Sequence, residues 1–168
     1  MPAAPSAAVF SPPSIATWCL PHSARRTSRR TRRKSNYRKL AREEYGREVA
    51  IWSSANIVQA ETEQEAHRYY DYIVKEKGDW EAVSYALATM GINAKTFPPE
   101  AMEHLKEYFI AGWGSYPLIG TREQVVDGLI KLSAMGLDGV LLCWPRYEEE
   151  MREFKNNTYP LLVQAGLR

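Results

Sequence analysis

One stretch constrains this chain more than any other: GTREQVVDGLIKLSAMGLDGVLLCWP, residues 120–145. Thr121 followed three residues later by Gln124 is a capping box, a hydroxyl offered to the first orphan amides of a helix. Val125, Val126, Leu129, Ile130 and Leu132 then recur at helical spacing, while Arg122, Asp127 and Lys131 fall on the other side. Gly136 stands where a left-handed residue would end that helix. Residues 139–143 (GVLLC) follow as a continuous apolar run, the composition of a strand covered on both faces. Trp144 and Pro145 close it, because proline cannot donate to a sheet ladder. A helix delivering straight into such a strand predicts a βα repeat with parallel strands, an α/β fold.

Charge divides the chain in two. Residues 1–42 carry ten lysines or arginines and no acid, whereas residues 43–168 carry twelve basic and twenty acidic residues, a formal charge of −8. The overall +2 averages these unlike segments. Residues 1–36 contain Pro2, Pro5, Pro12, Pro13 and Pro21, then ARRTSRRTRRKSN, with no helical or strand period, so a disordered basic tail is expected. Three functional readings stand beside plain disorder. An Arg- and Ser-rich leader without acids suits organelle targeting, although its prolines interrupt any amphipathic helix. A basic run suits a nuclear signal or a nucleic-acid arm, yet no basic aromatic sheet or recognition helix follows, so nucleic acid is not the expected partner. The third reading is a leader that is not natural coding sequence for the domain. Cys19 and Cys143 lie too far apart to suggest a disulfide framework or a metal knuckle. No run reaches the roughly 18 apolar residues of a membrane span. A soluble, cytoplasmic protein is expected, with an organelle as the alternative.

From residue 37 to 168 the texture is that of one domain. Residues 38–45 (RKLAREEY) read as the last turns of a helix stopped by Gly46, and residues 48–59 (EVAIWSSANIVQ) as a strand. Thr62 and Glu65 form a second capping box, and Asp79 can cap a further helix ending at Gly91. Phe97, Pro98 and Pro99 break the chain before another helix over 100–111. GWGSY is a loop, Leu118 and Ile119 a very short strand, and a last helix starts at Tyr147, with Glu148, Glu149 and Glu150 at its positive end. Pro160 should kink or restart that helix. The order α-β-α-α-α-β-α-β-α contains only three strands.

The run REVAIWSSANIVQAETEQEAHRYY, then GDWEAV, then GSYPLIGTREQVVDGLIKLSAMGLDGVLLCWPRYEEEMREFKNNTYPLL, resembles the bacterial luciferase-like, flavin-dependent monooxygenases. The nearest branch looks like that of the pyrimidine and dimethylsulfone monooxygenases. The ordered block Leu118-Ile119-Gly120-Thr121, Gly136-x-Asp138-Gly139-Val140, Tyr147, Phe154 and Pro160-Leu161-Leu162 carries the likeness. The resemblance implies a (β/α)8 barrel, of which this chain would hold the carboxyl-terminal portion, about the last three strands with their helices. A complete barrel of this type takes about 250 residues. It also implies reduced FMN supplied by a separate flavin reductase, molecular oxygen, a small organic substrate, and no metal. A three-strand portion is expected to be inactive alone. Its open barrel edges would invite homo- or hetero-oligomers, and the alternative reading is a non-catalytic module that pairs with a full-length or complementary barrel fragment.

Barrel chemistry gathers at the carboxyl ends of strands. That rule selects Ser54 and Asn56 near the end of the first strand, and Trp144 after the last, as substrate- or flavin-pocket candidates. Asn56 could donate to a substrate carbonyl or a flavin edge, or simply bond a neighbouring loop. Trp144 could wall the ring pocket or be ordinary packing. Gly120 and Thr121, at a helix start, could hold the cofactor phosphate, although the cap already explains Thr121. In alkanesulfonate-oxidising relatives an arginine stands at the position of Ser54 and a histidine at that of Asn56. This chain departs from both, which speaks against a sulfonate substrate. His67 and His104 lack metal-spaced partners, and no position is assigned a catalytic role.

Overall fold

Gly46 ends the first helix, α1 (residues 37–45), with φ 61, the left-handed conformation that stops a helix without steric cost. The computed structural model describes residues 37–92 and 98–168. The tail over 1–36, Cys19 within it, and Phe97 lie outside the described residues.

Three strands follow: β1 Trp52–Gln59, β2 Tyr116–Gly120 and β3 Gly139–Cys143. Both pairings are parallel, as the helix-to-strand pattern requires. Their order is β2-β1-β3. Consecutive staves of a barrel are hydrogen-bonded neighbours, so three successive staves would run β1-β2-β3. Here β3 lies beside β1, and β2 takes β1's other flank. The registers are also offset. Trp52 to Asn56 face Gly139 to Cys143, whereas Ala55 to Gln59 face Tyr116 to Gly120. The expectation that β1, β2 and β3 are three successive staves is corrected to a sheet in which β1 pairs with both others, β2 being displaced toward the carboxyl end of β1. β1 itself starts at Trp52, not at Glu48.

One face of the sheet is covered by helices. Ala55, Ile57 and Leu118 pack with Val125, Val126, Leu129 and Leu132 of α5 (Arg122–Ala134), and with Phe154 and Leu162. Both arms of the capping box at Thr121 are formed, its backbone N–H donating to Gln124 Oε1 at 2.9 Å. After β3 come α6 (Tyr147–Glu153), a wide π-helical turn (Phe154–Thr158) and α7 (Tyr159–Gln164). Pro160 has no N–H for the preceding turn, so the chain widens and restarts as expected.

The opposite face is covered only toward its carboxyl end. Val58 packs against Tyr70 and Val74, from α2 (Glu63–Asp71) and the π turn Tyr72–Glu76. At the start of α2, Thr62 Oγ1 accepts from Glu65 N at 3.2 Å. Helices α3 (Trp80–Thr89) and α4 (Pro99–Gly112) form a small core of their own from Val83, Leu87, Leu105 and Phe109, and reach the sheet through Ile110 and Ala111. Lower on this face Trp52 is 52% exposed and Leu141 60% exposed. GVLLC is therefore covered on its helix side alone, by way of Val140 and Leu142, and the expectation of a strand buried on both faces is corrected. The Trp52 indole fills the space a Cβ on Gly139 would need, 2.6 Å away.

Asp138 ties the base together. Its Oδ2 accepts from Ile51 N and from Arg38 Nη2, both at 2.6 Å, while Arg38 also donates to the Gly136 carbonyl at 3.0 Å. Among the described residues no helix is long and apolar enough to cross a membrane.

Candidate functional site

In an open parallel sheet ligands gather at the carboxyl ends of the strands. Asn56 lies mid-way along β1, level with the carboxyl end of β3 and with the amino-terminal part of β2. Its register partners are Pro117 of β2 and Cys143, the last residue of β3. The side chain is 2% exposed, and its Nδ2 has no hydrogen-bond partner. Leaving a buried donor unmatched costs about 1–3 kcal/mol.

Asn56 fits because Gly112 has no side chain. A Cβ there would stand 3.0 Å from Asn56 Cβ and 3.1 Å from its Cγ. The next residue, Trp113, caps α4 with φ 54, a left-handed conformation that bulky residues rarely hold. Its indole is 68% exposed and leans on Phe109 with ring centroids 5.4 Å apart. Trp113 N donates to Phe109 O and Gly114 N to Tyr108 O, both at 2.9 Å, so the helix end is hydrogen-bonded despite the strain. Sequence reading passed over Gly112 and Trp113. The sign available was an aromatic bracketed by two glycines inside GWGSY.

The other candidates do not converge on Asn56. Ser54 lies nearer the amino end of β1 than expected, half-buried and level with Leu141. Its carbonyl accepts from Ser53 Oγ at 3.3 Å. Trp144 belongs to the helix side. Its ring meets Phe154 and Tyr147 edge-on, at 5.4 and 5.7 Å, and its Nε1 is a second buried donor without a partner.

Gly120 and Thr121 serve the cap. The space a Cβ on Gly120 would need is taken by Gln124 Oε1, and Gln124 Nε2 donates to Glu63 Oε2 at 2.9 Å. Glu123 stands at the same helix end. Hydrogen bonds from its own backbone amide, from Thr121 and from Arg122 hold its carboxyl below the usual range. Two carboxylates and an occupied cap disfavour a phosphate there.

Arg146 follows β3. Its guanidinium lies 5.2 Å over the Tyr69 ring and contacts Glu150 at 3.2 Å and Glu149 at 3.3 Å. Burial, then the Glu150 charge, push the Tyr69 phenol upward, while Arg146 opposes them. This pairing was also missed, since the three glutamates read as a solvated helix start. His67 and His104 pair with Glu63 and Glu107 on their own helices, at 3.9 and 3.3 Å. Among the described residues no three potential ligands cluster as a metal site would need.

No family model and no curated protein sequence matches the chain. Solved structures do. A riboflavin lyase, determined with modified FMN and its substrate riboflavin, covers 88% of the chain at 19% identity and a TM-score of 0.66. A long-chain alkane monooxygenase covers 83% at 18% identity, TM-score 0.63. DmoA from Hyphomicrobium sulfonivorans covers 88% at 18% identity, TM-score 0.64. These neighbours fall in the luciferase-like group to which the sequence resemblance points. Identities this low show a shared fold. The chain spans 38%, 35% and 36% of the three neighbours, little more than a third of each.

Proposed function

We propose that this chain is a polypeptide of the luciferase-like, FMN-dependent monooxygenases, supplying one sector of a (β/α)8 barrel and unable to turn over substrate alone. The observation that supports this reading is the fold that most of the chain, with its parallel three-stranded sheet, shares with flavin-handling and monooxygenase structures. Flavin, when bound, would supply the oxygen chemistry, with reduced FMN coming from a separate reductase. The described residues fit such a group in part. The Asn56 amide suits a neutral ring edge or a substrate carbonyl, with Ser54 deeper on the same face and Trp144 supporting the rim from the helix side. The phosphate fits neither Gly120 and Thr121, whose cap is closed, nor Arg146, which is committed to Glu149 and Glu150.

The chain's own contribution is therefore binding and water exclusion. Val58, Val74 and Tyr70 seal the sheet beneath α2, and Gly112 lets α4 close directly over Asn56. Three described strands cannot complete a barrel. Purified chain mixed with FMN should show no tight binding and no substrate-dependent oxygen uptake, and co-expression with a polypeptide carrying the remaining staves should restore both. Stoichiometric flavin binding by the chain alone overturns the inactive-alone reading.

A second reading is favoured by Trp52 and Leu141, large apolar side chains exposed on the uncovered face beside β3. In that reading the chain is a non-catalytic module, pairing this face and edge with a full-length or complementary barrel fragment. Co-elution with such a partner on gel filtration, without any gain of oxygen uptake, distinguishes it from the first.

A further inference from the structure

We propose that the helix side of β3 carries a ligand site of its own, a cavity for a small neutral molecule of one ring bearing a single hydroxyl, in the manner of a phenol. It lies toward the amino end of β3, between the end of α5 and α7. Asn56 faces the other side of the sheet, and flavin is proposed for the opposite ends of the strands, so this site is independent of that reading. The space measures about 230 Å³. Its floor is core: Leu129, Leu137, Phe154 and Leu162 are each less than a tenth exposed, and Val140 and Leu142 pack against them. Packed interiors seldom leave so much room, since side chains fill them to the density of organic crystals. An apolar cavity of about 150 Å³ takes up benzene, and the larger space here admits a substituted ring.

The mouth differs in chemistry from the floor. Ser133, Asp138 and Tyr159 line the cavity and are exposed. The Asp138 carboxylate is held by Ile51 N and Arg38, so the hydroxyls of Ser133 and Tyr159 are the groups placed to bond a polar substituent on the ligand. A ring buried on the apolar floor with its hydroxyl at the mouth satisfies both halves of the site. The ligand's charge follows from the same lining. Asp138 and Arg168 bring one charge of each sign, which cancel. The formal charge of −8 over residues 43–168 then opposes an anion, which would also lose hydration on an apolar floor.

The test is NMR of the full chain with labelled methyl groups, titrated separately with p-cresol, toluene and 4-methylbenzoate. p-Cresol should shift the methyls of Leu129, Val140, Leu142 and Leu162 along one saturable curve. Leu141, 60% exposed on the other face, should stay still. 4-Methylbenzoate, the same ring with a charge, should bind at least about tenfold more weakly. The double variant Ser133→Ala, Tyr159→Phe should weaken p-cresol about threefold to tenfold and leave toluene unchanged. Val140→Phe fills the cavity from its floor and should abolish the response; should that variant not fold, the hydroxyl variant decides. Wall methyls that do not respond to p-cresol, a Leu141 shift on the same curve, or equal affinity for 4-methylbenzoate overturns the proposal. So does an equal loss of p-cresol and toluene in the hydroxyl variant, or binding that persists in folded Val140→Phe.

Discussion

Burial acts on Asn56, Tyr70 and Thr121 in three different ways. Asn56 is buried without a partner, at a cost in stability. Tyr70 is buried with its phenol proton held tightly, chiefly by desolvation and then by Glu107, Tyr108 and Asp71, so its pKa moves up from 10.0. A proton bound more tightly in the folded state gives a contribution that is full below the unfolded value and falls away as pH rises past it. Urea midpoints should accordingly be steady below pH 10 and decline above it, and Tyr70→Phe should flatten that decline. Thr121 is half-buried and works through geometry. Thr121→Ala removes the acceptor for Gln124 N and should cost about 1 kcal/mol in denaturant unfolding. Gly78→Ala should cost more, about 1–3 kcal/mol, because the added methyl would meet the Val74 backbone carbonyl, which cannot swing aside.

At the level of elements, the base of the sheet depends on one carboxylate. Asp138→Ala would strand Ile51 N as well as release Arg38, so it should cost about 1–3 kcal/mol. Arg38→Ala removes only a partly exposed ion pair and should cost less than about 1 kcal/mol. Equal losses in the two variants would show that the backbone bond at Ile51 contributes nothing. The same elements show what local chemistry reveals. The ends of α5 were legible because Thr121, Gln124 and Gly136 act within one turn of chain, and GVLLC because glycine and proline bound it. Pro160 announced the break before α7. The π turn at Tyr72–Glu76 carries no such mark. The order β2-β1-β3 was not legible, since it depends on which strand reaches β1 across long crossovers. Nor was the exposure of Leu141, because an apolar run reads alike whether or not anything covers its second face. Asn56 could be chosen from the barrel rule, but its close packing against Gly112, more than fifty residues away in sequence, could not be read there.

For the molecule as a whole, the decisive feature is a sheet covered on one side and only partly on the other. Leu141→Lys should leave the isolated chain's stability within about 0.5 kcal/mol, because Leu141 buries little there. The same substitution should prevent assembly with the remaining barrel staves, since it places a charge where a packed interior would form. Unchanged assembly would mean that the bare face is not the interface. The most direct measurement is residue-resolved hydrogen exchange across residues 139–143 in the monomeric chain, alone and after addition of the complementary staves. An open β3 edge requires that the amides turned away from β1 exchange freely in the chain alone and become protected on assembly. Full protection of every amide of β3 in the isolated monomer would contradict the open sector and, with it, the account of a barrel shared between polypeptides.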